Sequence, residues 1–183
     1  MYKRYGDEKA IEMLKKAGYD RIDIYLLSLK ELDTDMWEAA AAEIGEALAK
    51  FSLPVYQTHG NAPTGMDWDD PTYDWDYLTR TNLRAIRTTA MLGGKWMVVH
   101  PMNLPRDPLY SPKKAKDATI RSLAPYIEEA KKAGIGIAVE NMVDFSGRRR
   151  RFCGGDPEEL VDLVDSINDP GVGMCIDIGH ANN

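Results

Sequence analysis

The chain has 183 residues, of which 44% are hydrophobic and 28% charged, as is typical of a globular protein with one hydrophobic core. A net charge of −6 argues against a nucleic-acid-binding protein, because such proteins usually present a basic face to the phosphate backbone. No apolar run approaches the roughly 20 residues that span a bilayer, and two cysteines cannot form a disulfide scaffold, so we expect a cytoplasmic protein.

The hydrophobic periodicity predicts helices and strands in alternation. Helices are predicted over residues 10–17, 39–49, 75–92, 112–133 and 157–167. Each is followed by a predicted strand, over residues 21–27, 53–59, 95–100, 135–140 and 171–177. Capping residues mark the helix starts: Asp7 for the first, Thr34 or Asp35 for the second, and Ser111 and Asp156, each followed by proline, for the last two.

This alternation predicts βα units, a parallel sheet and therefore an α/β fold. Two architectures fit, an open doubly wound sheet and a (β/α)₈ barrel. The chain lacks a glycine-rich phosphate loop after its first strand, and a doubly wound nucleotide-binding fold would place one there. Polar residues instead stand at the carboxyl end of one strand after another, which is where barrel active sites are built. We therefore predict one domain of the (β/α) TIM-barrel type over residues 1–183.

The polar residues at the strand ends have metal-binding chemistry. His59, His100, Glu140 and Asp177 end four successive strands, and His180 follows three residues later. An ionised carboxylate that ends a buried strand, such as Glu140, is costly unless a cation or hydrogen bonds compensate it. Imidazole and carboxylate ligands without a thiolate suit Mn²⁺, Mg²⁺, Co²⁺ or Zn²⁺, and the pattern does not choose among them. The sequence therefore predicts a divalent-metal site at this end of the sheet.

Other residues have both a functional and a structural interpretation. The long loop after the second strand contains Trp68, which would either cover a substrate or pack on the surface. A run of four arginines ending at Arg151 would either bind a sugar phosphate or form a solvated charged segment. Tyr25 and Trp96 lie on predicted strands and are interpreted as core residues, as is the small Cys175.

Four segments together have the pattern of a known family: Tyr56-Gln-Thr-His59, Val98-Val-His-Pro101, Ala138-Val-Glu-Asn141 and Cys175-Ile-Asp-Ile-Gly-His-Ala-Asn182. In these segments, which are spread over nearly the whole chain, the sequence resembles the xylose-isomerase-like TIM-barrel superfamily. That group contains sugar and sugar-phosphate isomerases and epimerases, and also the endonuclease IV type of apurinic endonuclease.

The resemblance implies roles for the matching residues. Glu140 and Asp177 correspond to metal ligands after the fifth and sixth barrel strands, and Glu140 also to an acid or base. His180 corresponds to a residue that contacts substrate or a further metal, and Asn141 is assigned to substrate binding. His59 and His100 match positions that bind an additional zinc in the endonuclease group and often only line the pocket in the sugar enzymes.

The chain departs from the family in length. A barrel of this type needs about 250 residues, and the family's metal-binding histidine after the seventh strand and catalytic glutamate after the eighth are not among these 183. We expect an open arc of five strands, numbers two to six, with bare edges that can pair with another chain. The expected product is either a truncated, inactive barrel or one that self-association completes.

The leading functional hypothesis is a sugar or sugar-phosphate isomerase or epimerase with a divalent metal. In such an enzyme the cation chelates two neighbouring oxygens of a ketose and stabilises an enediolate, while Glu140 transfers a proton on one face. The alternatives are a zinc-dependent apurinic endonuclease of the endonuclease IV type, against which the acidic charge argues, and a non-catalytic barrel remnant.

Overall fold

The described part of the chain forms one parallel sheet with helices. The computed structural model describes residues 7–62, 72–102, 110–143 and 153–181. The strands are β1 Ile22–Tyr25, β2 Val55–His59, β3 Trp96–Val99, β4 Gly136–Glu140 and β5 Val172–Cys175. The α-helices are α1 Asp7–Lys16, α2 Trp37–Lys50, α3 Trp75–Met91, α4 Pro112–Ala133, α5 Pro157–Ile167 and α6 Ile178–Ala181.

The order of the strands distinguishes the two expected architectures. The strands pair in chain order, β1-β2-β3-β4-β5, and every pair is parallel. A doubly wound sheet would reverse its strand order at a switch point, so the uninterrupted order is that of an arc of a (β/α) barrel. Within the described residues, β1 and β5 each pair on one side only. The predicted arc of five parallel strands of the (β/α)-barrel type is confirmed, and self-association through its free edges remains a prediction.

Capping side chains determine where several helices begin. Ser111 and Asp156 each accept a backbone hydrogen bond in the first turn, directly before the proline that opens α4 or α5, as predicted. The cap predicted for α2 at Thr34 or Asp35 is wrong. That helix begins after Met36, and the Thr34 hydroxyl instead accepts a hydrogen bond from the Met36 backbone N–H at 3.1 Å.

Two strands end two residues earlier than predicted. Leu26–Ser28, at the predicted end of the first strand, form a 3₁₀ turn because fully buried Leu26 packs into the core behind the sheet. β5 ends at Cys175, and the carboxylate of Asp177 accepts the backbone N–H of Gly179 at 2.6 Å. Such a local bond favours a turn over a strand, and the short helix α6 follows.

The main hydrophobic core lies between the sheet and the helices. Met97 and Val99 of β3 and Ile137 and Val139 of β4 are at most 3% exposed, and they pack in one cluster with Ile86 of α3. Because successive side chains of a strand point to opposite faces, the strand residues between them face the interior of the barrel arc.

Trp96 of β3 fills the interior at the end of the sheet opposite the strand carboxyl ends. A Cβ on Gly136 of β4 would overlap the Trp96 ring, and one on Gly173 of β5 would lie 3.6 Å from it. The two glycines thus leave room for the indole. Trp96 is therefore a packing residue, as predicted, and it fills the barrel interior at the amino ends of the strands.

The helices of the described residues are each too short or too polar to cross a membrane. A cytoplasmic location remains a prediction.

Candidate metal centre

The residues that the sequence places at strand ends share one rim of the sheet. His59 and Glu140 are the last residues of β2 and β4, His100 directly follows β3, and Asp177 follows β5 by two residues. Since all the strands are parallel, their carboxyl ends meet at the same edge. Together with His180 of α6, these residues form the cluster that we call the rim cluster.

Glu140 is the centre of the rim cluster. Its carboxylate Oε2 lies 2.9 Å from His59 Nε2 and 2.8 Å from His100 Nε2. Glu140 is 5% exposed, so its charge is compensated by these imidazoles rather than by bulk water. The His59 and His100 rings meet edge to face with 4.8 Å between their centroids. The three side chains offer ligand atoms close enough to share one cation.

A second group shares the same carboxylate. Glu140 Oε1 lies 3.6 Å from His180 Nδ1, and Asp177 Oδ2 lies 3.7 Å from the same nitrogen. Asp177 Oδ1 accepts hydrogen bonds from the backbone N–H groups of Gly179 and His180, so only part of its carboxylate is engaged by α6. The ligand atoms of Glu140, Asp177 and His180 also lie within 4.8 Å of one another. Glu140 therefore bridges two groups of candidate ligands.

Hydrogen bonds orient two of the three imidazoles. His59 Nδ1 lies 3.0 Å from the Gly60 carbonyl, and His180 Nδ1 lies 2.8 Å from the Asn141 carbonyl. In metal sites the ring nitrogen that does not bind the metal usually donates to such a carbonyl or to a carboxylate, and His59, whose Nε2 faces Glu140, has this arrangement. In His180, Nδ1 faces both the Asn141 carbonyl and the carboxylates of Glu140 and Asp177. His100 Nδ1 is buried and has no hydrogen-bond partner within the described parts of the chain.

Asn141 joins the ends of β4 and β5. Its side-chain amide donates to the Asp177 carbonyl at 3.0 Å and accepts from the Asp177 backbone N–H at 2.6 Å. These paired bonds hold Asp177 beside Glu140. A substrate contact of Asn141, expected from the family resemblance, remains a prediction.

The electrostatics of the cluster are dominated by the Glu140–histidine contacts. Burial alone raises the pKa of Glu140, but hydrogen bonds from His100 and His59 outweigh it and hold the pKa well below its usual range. Burial lowers the pKa of His59, yet the bond to Glu140 and that to Gly60 leave the pKa above its usual value. Without a metal, the contacts therefore favour an ionised Glu140 and a protonated His59, and a cation would compete with that proton.

Two residues of the site were not recognised from the sequence. Tyr25, interpreted as a core residue, is 47% exposed at the end of β1, with its ring 5.0 Å from that of His59. Asp23, two residues earlier on the same face of β1, accepts a hydrogen bond from Gln57 at 2.8 Å, and burial raises its pKa. Asp23 pairs with Gln57 and Tyr25 pairs with His59, so both face the interior of the arc. The sequence did not indicate this, because it depends on how β1 pairs with β2.

Trp68 and Arg151, predicted to bind substrate, lie outside the described residues.

Of the two thiols, Cys153 is buried beside Thr119, and burial raises its pKa to about 11. The rim cluster thus contains all the predicted metal ligands and no thiol, and its donor set of imidazole and carboxylate fits a divalent cation.

The chain is similar to known barrel proteins in sequence and in overall fold. The chain matches a family model described as xylose isomerase-like TIM barrel over residues 11–183. An uncharacterised protein of Methanocaldococcus jannaschii is 34% identical over 98 residues, which are 54% of this chain and 32% of that protein.

Solved structures share the fold at low sequence identity. That of 3-keto-D-glucoside 4-epimerase from E. coli matches with a TM-score of 0.73 and 16% identity, over 97% of this chain and 65% of that one. That of the IolI protein with a bound zinc atom has a TM-score of 0.68 and 17% identity, over 91% and 56%. The chain thus spans less than two thirds of each of these structures and about a third of the Methanocaldococcus protein.

Proposed function

Because the chain belongs to the xylose isomerase-like TIM-barrel family, we propose that it is a divalent-metal-dependent isomerase or epimerase of sugars or sugar phosphates. The observation that carries this proposal is the position of Glu140, whose carboxylate lies among His59, His100 and His180. The fold that presents this cluster is also that of a solved sugar epimerase, which supports the same class of substrate.

His59, His100 and Glu140 would hold the cation, and Asp177 and His180 would provide ligands on the other side of Glu140. A divalent cation bound there would polarise the oxygens of a sugar and make the C–H next to its carbonyl more acidic. Mn²⁺, Mg²⁺, Co²⁺ and Zn²⁺ all accept imidazole and carboxylate ligands.

Glu140 transfers the proton in this proposal. Both close imidazole contacts go to Oε2, which leaves Oε1 as the oxygen that can take a proton from the substrate. The same contacts lower the pKa of Glu140, so the carboxylate is in the ionised form that a base requires, although they also weaken its affinity for a proton. Tyr25 would contribute an exposed aromatic wall, and substrate contacts are also proposed for Asn141, His180, Trp68 and Arg151.

A second candidate function is metal-dependent hydrolysis of a phosphodiester at an apurinic site in DNA. One specific observation favours it: Glu140 belongs to both ligand groups, and a shared carboxylate suits two cations that stabilise the attacking and leaving oxygens of a phosphoryl transfer. The net charge of −6 argues against a DNA substrate.

Hydrogen exchange in a ketose tests the proposed function. The metal-loaded chain is incubated in D₂O with ketoses, each with and without a phosphate group, and deuterium at the carbon next to the carbonyl is followed by NMR. One base on one face is enough for this exchange, so the test does not require a second acid or base. We expect exchange that depends on the metal and stops when EDTA is added.

The same preparation separates the alternatives. Cleavage of an oligonucleotide with an apurinic site, without exchange in any ketose, would contradict the proposal and favour the endonuclease. Bound metal with neither activity would favour the non-catalytic remnant.

A further inference from the structure

A buried asparagine on α3 holds the chain just beyond His59. Asn82 is 1% exposed, and its side-chain amide contacts both backbone groups of Asn61. Asn82 Oδ1 accepts from Asn61 N at 2.8 Å, and Asn82 Nδ2 donates to Asn61 O at 3.1 Å. The Asn82 amide also donates to the Tyr126 hydroxyl at 3.3 Å, which fixes its own orientation. Asn82 is not part of the rim cluster.

The residue between His59 and Asn61 is tightly enclosed. A Cβ on Gly60 would lie 2.7 Å from Asn82 Oδ1 and 3.2 Å from Met97 Cε. The Gly60 N–H donates to the Val98 carbonyl at 2.9 Å. Gly60 is therefore fixed on its amino side by β3 and on its carboxyl side by Asn82.

The Gly60 carbonyl connects these contacts to the His59 ring. The peptide that joins Gly60 to Asn61 carries the Gly60 oxygen and the Asn61 N–H, and that N–H is bound by Asn82. The Gly60 oxygen is the one that His59 Nδ1 contacts at 3.0 Å. When this carbonyl is fixed, His59 presents Nε2 to Glu140 at 2.9 Å.

We propose that Asn82 is a positioning residue for His59: by binding the Gly60–Asn61 peptide, it aims the carbonyl that orients the imidazole toward the rim cluster. The part of this proposal that concerns metal affinity rests on the proposed function. The part that concerns the ring orientation applies to the metal-free chain as well.

The test compares Asn82→Leu with Thr89→Val. Leucine has a similar volume but binds neither backbone group of Asn61. Thr89 also lies on α3, and its hydroxyl is 2.5 Å from that of Thr58 on β2, so Thr89→Val removes a buried bond between the same helix and the strand that precedes Asn61. The melting temperature should fall by a similar amount in both variants, and only Asn82→Leu should disturb the orientation of His59.

Two measurements report on the orientation of the His59 ring. In the metal-free protein at one fixed pH, the exchange-protected Nδ1–H proton resonance of His59, assigned by its absence in His59→Gln, should persist in Thr89→Val and be lost in Asn82→Leu. In a titration with Co²⁺ alone, Asn82→Leu should weaken binding roughly 10–100-fold, as loss of a group that orients a ligand does. Thr89→Val should bind as the unsubstituted chain does.

An unchanged His59 resonance in Asn82→Leu, or an equal loss of Co²⁺ affinity in the two variants, would overturn the proposal. If Asn82→Leu does not fold, Asn82→Ala serves in its place, because it also removes the oxygen that accepts the Asn61 N–H and adds no bulk. If the unsubstituted chain binds no Co²⁺ while its His59 resonance still depends on Asn82, the proposed function fails and the positioning role stands.

Discussion

Replacing Glu140 by Gln is expected to abolish metal-dependent hydrogen exchange in a ketose and to weaken divalent-metal binding severely. Glu140 is the one residue that belongs to both candidate ligand groups. An amide is a neutral and poor metal ligand and does not accept a proton from carbon. Loss of the acid–base role alone lowers a rate about 10²–10⁴-fold, and loss of the shared ligand adds to it. Deuterium incorporation and Co²⁺ titration measure the two effects separately.

The matched control is Glu129→Gln. Glu129 is also a poorly exposed glutamate, but it lies on α4 and pairs with Arg87 at 2.6 Å, outside the rim cluster. This variant should retain both metal affinity and exchange. If Glu140→Gln kept the exchange rate of the unsubstituted chain, Glu140 would not be the base, and the role assigned to its Oε1 would be wrong.

Gly136→Ala is expected to cause a large loss of stability, about 1–3 kcal/mol in the free energy of unfolding. The added Cβ would overlap the Trp96 indole, which is rigid and cannot move aside as a flexible chain end would. The overlap falls between two inner strands of the sheet, where Trp96 of β3 and Gly136 of β4 are paired residues. Urea unfolding followed by circular dichroism gives the difference.

Gly173→Ala is the matched control, because it adds the same methyl group on the neighbouring strand. Its Cβ would lie 3.6 Å from the Trp96 ring, which is ordinary van der Waals contact. We expect this variant to unfold at nearly the urea concentration of the unsubstituted chain. Equal destabilisation by the two alanines would show that loss of glycine, rather than collision with Trp96, determines the effect.

Much of the fold follows from local sequence patterns. The helix starts at Ser111 and Asp156 were predictable because a capping side chain and the following proline act within a few residues. The parallel sheet followed from the alternation of elements, and the common rim followed from parallel strands. The positions of His59, His100, Glu140 and Asp177 at one edge were therefore accessible to sequence reasoning.

The features that were missed depend on contacts between distant residues. Tyr25 could not be assigned to the rim, because its exposure reflects where β1 ends and how it pairs with β2. The bridging position of Glu140 depends on side-chain geometry at the ends of different strands. The contact of Asn82 with Asn61 joins a helix to a strand end and has no local pattern.

Divalent-metal binding by the unsubstituted chain tests the central claim most directly. The EDTA-treated protein is titrated with Co²⁺, and the visible absorption bands of the bound ion are recorded. We predict saturable binding whose bands show nitrogen and oxygen ligands and are lost in both His59→Gln and Glu140→Gln. Absence of saturable binding in a folded chain, or binding that neither substitution affects, would contradict the assignment of the rim cluster as a metal centre.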